Sequence, residues 1–241
     1  MLLKTKGIIL HTIKYADKKV ICKIYTRDFG VQAYMVNVGN SARSKIKPAI
    51  LLPLTQLELE VFSKQNKDLG RINEVSCFYQ YSDLPFNIQK STIAAFINEI
   101  LYRSIHEEEA NSELFDFIVH SFQWMDMSTL PMYNFHLFFL AALSKHLGFY
   151  PQNNYSTSEK IFDLQEGVFI HFKPPHPHYL EEHESKDFSE LFHMSLNDLT
   201  TYSIHKQQRI NLLNNLIRYY KLHIPGLKEI KSMAVLQATF N

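Results

Sequence analysis

Cations grouped on short polar segments are the first residues in this sequence that suggest chemistry. Arg43, Lys45 and Lys47 alternate with small residues in Gly39-Asn40-Ser41-Ala42-Arg43-Ser44-Lys45-Ile46-Lys47-Pro48. Lys14, Lys18 and Lys19 form a second group, Arg27 follows at a predicted strand end, and Lys64, Lys67 and Arg71 form a third. Tyr25 and Tyr34 lie among them. Cations neutralise phosphates and aromatic rings stack on unpaired bases, so this mixture meets the physical demands of single-strand binding. The same residues also read as solubilising lysines and core tyrosines. That alternative stays open, because the alternation is loose and Tyr34 could face inward.

Other chemistries find less support. His171, His176, His178 and His183, with Glu181, Glu182 and Glu184 nearby, offer nitrogen and oxygen atoms of the kind zinc takes. No helical His-x-x-x-His spacing accompanies them, and Pro174, Pro175 and Pro177 hold the imidazoles apart, so a polar loop without metal is expected. Cys22 and Cys77 are the two cysteines, too few for a disulfide framework or a four-cysteine zinc site. Cys22 has apolar strand neighbours and reads as a buried structural thiol. No nucleophile elbow, phosphate loop or dinucleotide fingerprint occurs among the seven glycines. The expectation is a protein with no catalytic residue and no cofactor.

The formal net charge of the 241 residues is only +1, which by itself argues against a nucleic-acid binder. Resolved along the chain, that figure is a cancellation. Residues 1–80 carry 13 Lys+Arg against 6 Asp+Glu, a balance of +7, and residues 81–241 a balance of −6. Within the second part, residues 206–231 are basic again, leaving residues 81–205 at about −11. In the second basic region Arg209, Arg218 and Lys221 accompany Leu213, Ile217 and Tyr220, a pairing of cations with an apolar groove that suits an acidic, apolar peptide. The opening residues lack the apolar run of a signal peptide, and the most apolar stretch, residues 135–143, is too short to span a bilayer. A soluble cytoplasmic protein is expected.

Two hydrophobic periods position these groups. Residues 7–13, 20–26, 31–38, 57–61 and 69–75 read as short strands, with Leu57, Leu59 and Val61 on one face and glutamates on the other. Five strands in so short a span predict a small closed barrel, although an SH3-like barrel or a sandwich fragment fits the same pattern. From about residue 85 the period is helical. Ile93, Phe96, Ile97, Ile100, Leu101 and Ile105 define a helix starting near Asn87, residues 114–122 a second, and residues 135–143 a third that stops at Gly148. Residues 153–184 are irregular apart from a short hairpin through 161–164 and 168–171. Helices resume near Ser195, where Ser195 and Asp198 have capping-box spacing. A longer helix carrying Ile210, Leu213, Ile217 and Tyr220 ends before Pro225, and residues 228–238 form a last short one.

Several segments in this order resemble the RecO family of bacterial recombination mediators. They are Lys6-Gly7-Ile8-Ile9-Leu10-His11-Thr12, Tyr25-Thr26-Arg27-Asp28-Phe29-Gly30-Val31, the Gly39–Lys47 basic loop with Leu51-Leu52-Pro53-Leu54, Gly70-Arg71-Ile72-Asn73-Glu74, Leu147-Gly148-Phe149-Tyr150-Pro151 and Leu216-Ile217-Arg218-Tyr219-Tyr220-Lys221. The resemblance covers nearly the whole chain. It implies an α+β multidomain protein, with an N-terminal OB-fold five-stranded β-barrel over residues 1–80. An all-helical domain over residues 81–241 follows, with a small zinc-finger-like insertion at about 152–187. Many relatives carry two CxxC pairs in that insertion. Here Tyr155 to Tyr179 contains no cysteine, so a metal-free subdomain held by Phe162, Leu164, Val168 and Phe169 is expected.

The resemblance also implies a non-enzymatic DNA-repair factor, cytoplasmic and nucleoid-associated, with no membrane partner. Such a factor binds single- and double-stranded DNA, anneals complementary strands and works with RecR. Together they load RecA onto DNA coated by single-stranded-DNA-binding protein. On that reading Lys14, Lys18, Lys19, Arg27, Tyr34, Arg43, Lys45, Lys47, Lys67 and Arg71 face nucleic acid. Arg209, Leu213, Ile217, Arg218, Tyr220 and Lys221 take the C-terminal tail of single-stranded-DNA-binding protein. The competing reading is a pure protein-interaction scaffold working through the acidic helical part.

Overall fold

The computed structural model describes residues 1–39, 46–62, 69–200 and 204–240, which pack as two compact units, Met1–Met127 and Ser128–Asn241. In the first unit, strands β1 (Leu2–Ala16), β2 (Lys19–Thr26), β3 (Gly30–Asn37), β4 (Gln56–Phe62) and β5 (Gly70–Tyr79) close into a barrel in the order β1-β2-β3-β5-β4. β1 is long enough, at 15 residues, to serve two partners. Its first half pairs with β4 and its second with β2, and register shifts after Ile9 and Lys14 bend it between them. All pairs are antiparallel except β3 with β5, where Tyr34 stands opposite Gly70 and Met35 opposite Arg71.

The period of two explains the core. Ile9, Cys22, Ile24, Tyr34, Val36, Leu57, Leu59 and Val61 all turn inward. Gly70 is required where the barrel closes, because a Cβ there would stand 2.7 Å from the Tyr34 ring. A second glycine, Gly30, starts β3 with φ +61, and a Cβ on it would meet the carbonyls of Glu107 and Glu109 at 2.5 Å. The acidic run 107–109 therefore lies directly against the barrel, where the Glu107 carbonyl accepts the Val31 amide at 2.9 Å.

Helix α1 (Ile88–Ser104) begins where the sequence predicts, with the Asn87 side chain accepting the amides of Gln89 and Lys90. Its apolar stripe, Ile93, Phe96, Ile97, Ile100 and Leu101, is wholly buried. Helix α2 (Ser112–Met127) follows. Both are tied to the barrel by directed bonds. Asn98 Nδ2 donates to the Leu10 carbonyl, Gln123 Nε2 to Gln56 Oε1, and the Tyr25 hydroxyl to the Asn111 carbonyl. The last turn of α2 supplies a heavily bonded acid. The buried Asp126 carboxylate accepts the backbone amides of Ser82, Asp83 and Leu84 and the hydroxyls of Ser82 and Tyr79. Lys90 Nζ donates to the Asp126 carbonyl at 2.9 Å and pairs with Asp83 at 2.7 Å.

The second unit contains α3 (Phe135–His146), β6 (Ile161–Asp163), β7 (Val168–Ile170), β8 (Tyr179–Leu180), α4 (Glu182–His193), α5 (Lys206–His223) and α6 (Ser232–Thr239). The expected hairpin is β6–β7, and β8 completes a sheet of order β7-β6-β8, so this part of the chain is not purely helical. Among the residues expected to hold it, Phe162, Leu164 and Phe169 are buried and Val168 is half-buried. The Phe162 ring lies 4.7 Å from Phe169, 4.8 Å from Phe188 and 5.7 Å from Tyr219. The edge of β7 is closed by Asn154, whose side-chain amide donates to the Phe169 carbonyl and accepts the Phe169 amide, both at 2.9 Å. Helix α4 begins about thirteen residues before the predicted restart, since its first turn is too polar to signal a helix and only Ser185, Phe188, Ser189, Leu191 and Phe192 face inward. Asp198 accepts the Ser195 amide and hydroxyl at 2.8 and 2.6 Å over a 3-10 turn, Leu196–Thr200, rather than over an α-helix.

Asp126 gives the first unit a calculable acid dependence. Burial works to raise its pKa, but the amides of Ser82, Leu84 and Asp83 and the Tyr79 hydroxyl together bring it down to about 2. A carboxyl depressed from its usual value near 4 adds about 2 kcal/mol above that pH, and the gain is lost as pH falls towards 2. Asp126→Asn is expected to lower urea stability by about that amount at neutral pH. The difference from wild type should close as the pH is lowered; a pH-independent difference would contradict the assignment.

Candidate nucleic-acid interface

With Cys22, Ile24, Tyr34 and Val36 inward, the intervening residues of β1, β2, β3 and β5 form rungs on the outside of the barrel. One rung is His11, Lys23 and Ala33, and the next is Ile13, Ile21, Met35 and Arg71. The end of α1 overhangs them, so the face becomes a groove of about 400 Å³ between the strands, Leu69, Tyr102 and His106. The Tyr102 ring is its aromatic wall. Lys23 Nζ lies 4.9 Å from its centroid, and the His11 ring 4.5 Å away at 34°. Burial pushes the Lys23 pKa down, which marks a cation held in a partly dry place. Ile13 and Leu69 remain exposed to 51% and 40%, so apolar surface stands ready beside the charges. One acid, Glu108, sits on the rim.

The predicted residues divide into several groups. Lys14, Lys18 and Lys19 crown the β1–β2 hairpin and are exposed, as are Arg71 on β5 and Lys47 ahead of the Pro48–Leu51 3-10 turn. Arg43, Lys45, Lys64 and Lys67 lie outside the described residues. Tyr34 is a correction. It is 3% exposed, its ring packs in the barrel core, and burial pushes its pKa up to about 12, so it cannot stack on a base. Tyr25, 1% exposed, is likewise interior. Arg27 has a partner within the first unit. Its guanidinium grips Asp116 of α2 with two bonds, of 3.1 and 2.9 Å, and the Arg27 hydrogen bond holds the Asp116 carboxyl below its usual range. It fastens α2 to the barrel while its side chain stays 41% exposed.

In the second basic region, Arg209 and Leu213 come together one turn apart on α5 beside a small cavity that Lys206, His136, Leu236 and Phe240 also line. Ile217 and Tyr220 do not line it. They continue the Leu213 stripe one and two turns further along α5 and are buried, and the Tyr220 hydroxyl donates to the Leu140 carbonyl at 2.6 Å. Arg218 and Lys221 are exposed away from it, and Arg218 bonds Asn215.

The histidine-rich segment is held by local bonds. His171 Nδ1 lies 2.7 Å from the Ser158 carbonyl, and His176 Nε2 lies 3.3 Å from Asp163. Glu181 pairs with Lys173 and Glu182 with Lys160. Among the described residues, no three His, Cys, Asp or Glu side chains converge as a metal site would need.

His11, Lys23 and Tyr102 are the groove residues that the sequence reading misses. Lys23 had a usable signal, since it sits between the inward Cys22 and Ile24 and must point outward. Tyr102 had none, because only the packing of α1 brings it over the strands.

A five-stranded barrel closed in the order 1-2-3-5-4, with an outer groove on strands 1 to 3, is an OB-fold, here followed by a helical C-terminal part. The model of the recombination protein O N terminal region matches residues 1–81, and that of its C-terminal region residues 85–233. The DNA repair protein RecO of Flavobacterium psychrophilum is 37% identical over 242 residues, and that of Phocaeicola vulgatus 34% identical over 241, each alignment covering the whole of both chains. The RecO of Porphyromonas gingivalis is 27% identical over its full length. The chain belongs to the RecO family of DNA repair and recombination proteins. Among the described residues no helix is long and apolar enough to cross a membrane.

The Arg27–Asp116 assignment predicts a particular pattern in a double-mutant cycle. Arg27→Ala and Asp116→Ala should shift the urea midpoint in the same direction, and the double variant should shift it by less than their sum. Strict additivity would show that the two groups do not act together.

Proposed function

We propose that this protein is a non-enzymatic recombination mediator that binds single- and double-stranded DNA and anneals complementary strands. With RecR it loads RecA onto DNA coated by single-stranded-DNA-binding protein. The observation that carries the reading is the outer groove of the barrel, where Lys23, His11 and Tyr102 meet on the strands of a region with a balance of +7. Annealing needs no bond to be made or broken in the protein. It needs two mutually repelling strands held close, with bases free to pair. Lysines and arginines on the hairpin and the basic loop lower the repulsion by displacing counterions. Tyr102 offers a face on which one unpaired base can rest, and stacking of that kind is indifferent to sequence.

A duplex has no unpaired base to give the groove, so its binding rests on other cations of the first 80 residues: Lys14, Lys18 and Lys19 on the hairpin, with Arg43, Lys45, Lys47 and Lys67. The partner contacts follow from the second basic region. Lys206 and Arg209 beside Leu213 suit the acidic, apolar tail of single-stranded-DNA-binding protein, which would bring the barrel to coated DNA.

Fluorescence anisotropy with a labelled oligonucleotide across a salt series tests this. Affinity should fall steeply with salt, and alanine at Arg43, Lys45 and Lys47 together should flatten the log–log slope by about 2, at roughly 0.7 per phosphate contact on a single strand. Binding that ignores salt would overturn the reading. In the same assay Tyr102→Ala should weaken single-strand binding by about tenfold, the loss of one stacked base, and leave duplex binding nearly unchanged. Tyr34→Phe should leave both unchanged. Equal losses from Tyr34→Phe and Tyr102→Ala would place the stacking surface elsewhere.

A further inference from the structure

Stacking on Tyr102 does not tell one base from another, but the groove carries a group that can. That group is Glu108, the one carboxylate among the described residues that line it. A carboxylate repels phosphates, so a surface made for the nucleic-acid backbone alone would do better without it. Glu108 is nevertheless held there by closely packed backbone. Helix α1 ends at the buried, extended Ile105, and the Glu107 carbonyl accepts the Val31 amide at 2.9 Å. Residues 107–109 pass so close to Gly30 that a Cβ on it would stand 2.5 Å from the Glu107 and Glu109 carbonyls. The Glu107 side chain folds back on the His106 amide at 3.1 Å, and Glu108 is the acid of this run that lines the groove.

The strand ladder orders the charges along the groove. Arg71 stands on the rung of Ile13, Ile21 and Met35, and Lys23 on the next rung with His11 and Ala33. Val31, two residues before Ala33, lies beyond Lys23, and the chain that bears Glu108 is bonded to it. Lys14, Lys18 and Lys19 of the β1–β2 hairpin continue the row at the Arg71 end. One end of the groove is therefore cationic and the other acidic, with the Tyr102 ring between them beside Lys23. A nucleotide in this field has its phosphate drawn to the hairpin end and the edge of its base turned towards Glu108.

We propose that Glu108 reads the edge of the base resting on Tyr102, accepting a hydrogen bond from an amino group and disfavouring thymine. Cytosine and adenine present an amino donor, N4 or N6, where thymine presents its O4 oxygen, and guanine carries an amino group at N2. An ionised carboxylate only accepts, so it has no hydrogen to offer O4. The groove thus holds a subsite for an amino-bearing base, while the phosphate contacts around it remain indifferent to sequence. This rests on the reading that the groove is the single-strand site, and it adds which bases that site favours.

The test uses the full chain and fluorescein-labelled oligodeoxycytidylate, oligothymidylate and oligodeoxyuridylate of equal length, compared by anisotropy. Wild type should bind the cytosine strand about fivefold more tightly than the other two, the net worth of one hydrogen bond. Glu108→Gln, whose amide both donates and accepts, should bind all three alike, mainly by gaining affinity for thymine and uracil. Equal binding of the three strands by wild type would overturn base reading. So would a preference that survives in Glu108→Gln, since the carboxylate would then act on phosphates alone. Uracil bound as tightly as cytosine would also overturn it, because the thymine methyl would be the group sensed. Tyr102→Ala separates the two readings. If it weakens single-strand binding while wild type shows no preference, the groove stands as the single-strand site and only the role of Glu108 falls. If it changes nothing and wild type shows no preference, the strand lies elsewhere and both readings fall.

Discussion

The barrel closes because Tyr34 turns inward where Gly70 leaves room for its ring. That contact sets the parity of β3, and through the ladder it sets the parity of its neighbours. With Tyr34, Cys22 and Ile24 inside, Lys23, His11 and Ala33 must be outside, and Met35 brings Arg71 out with it. A slip by one residue would bury Lys23 and Arg71 and expose the core. The same tyrosine that fails as a base-stacking residue is therefore what places the groove cations.

The groove is not made by the barrel alone. Its aromatic wall comes from α1, and α1 is held by contacts that have nothing to do with nucleic acid. Asp126 gathers the turn that launches α1 through the amides of residues 82–84, and Lys90 bonds back to the last turn of α2. Arg27 pins α2 to the barrel through Asp116, and Gly30 lets the chain leaving α1 run against the start of β3. Together these fix Tyr102 within cation–π distance of Lys23. Polar bonds with defined geometry do this better than apolar packing could, because a helix resting only on an apolar stripe can slide along it.

How far the sequence was legible follows from the range of each interaction. The five strands, the α1 start at Asn87 and the β6–β7 hairpin were readable, since alternation, helical spacing and a capping side chain are local signals. Helix α4 and β8 were not, because the first is polar through its opening turns and the second is two residues long. The Arg27 ion pair was not readable because its partner Asp116 lies 89 residues away. Tyr34 could not be oriented without knowing which neighbours of β3 face the core. Among the predicted cations, those on the hairpin and on β5 lie where expected because turns and strand ends are where lysine and arginine are least costly. Of the six residues assigned to the α5 groove, Arg209 and Leu213 share it, as their i, i+4 spacing allows, whereas Ile217 and Tyr220, on the same stripe, lie one and two turns further along and are buried there.

The small sheet of the second unit shows how side-chain packing can hold a fragment that has too few strands to be stable by itself. Two strands of three residues and one of two bury little surface. What makes them sufficient is that Phe162, at the centre of β6, is shared. It packs at once against β7 through Phe169, against α4 through Phe188 and against α5 through Tyr219. Ser185 secures the other side, donating its hydroxyl to the Leu180 carbonyl and accepting the Phe162 amide. Asn154 supplies β7 with the two bonds that a further strand would have made. The β7 edge is thus capped, and β6 and β7 reach one common aromatic cluster. Cohesion of this kind depends on α4 and α5 being in place, so the sheet is best understood as an outgrowth of the helical core and not as a module that folds first and docks afterwards.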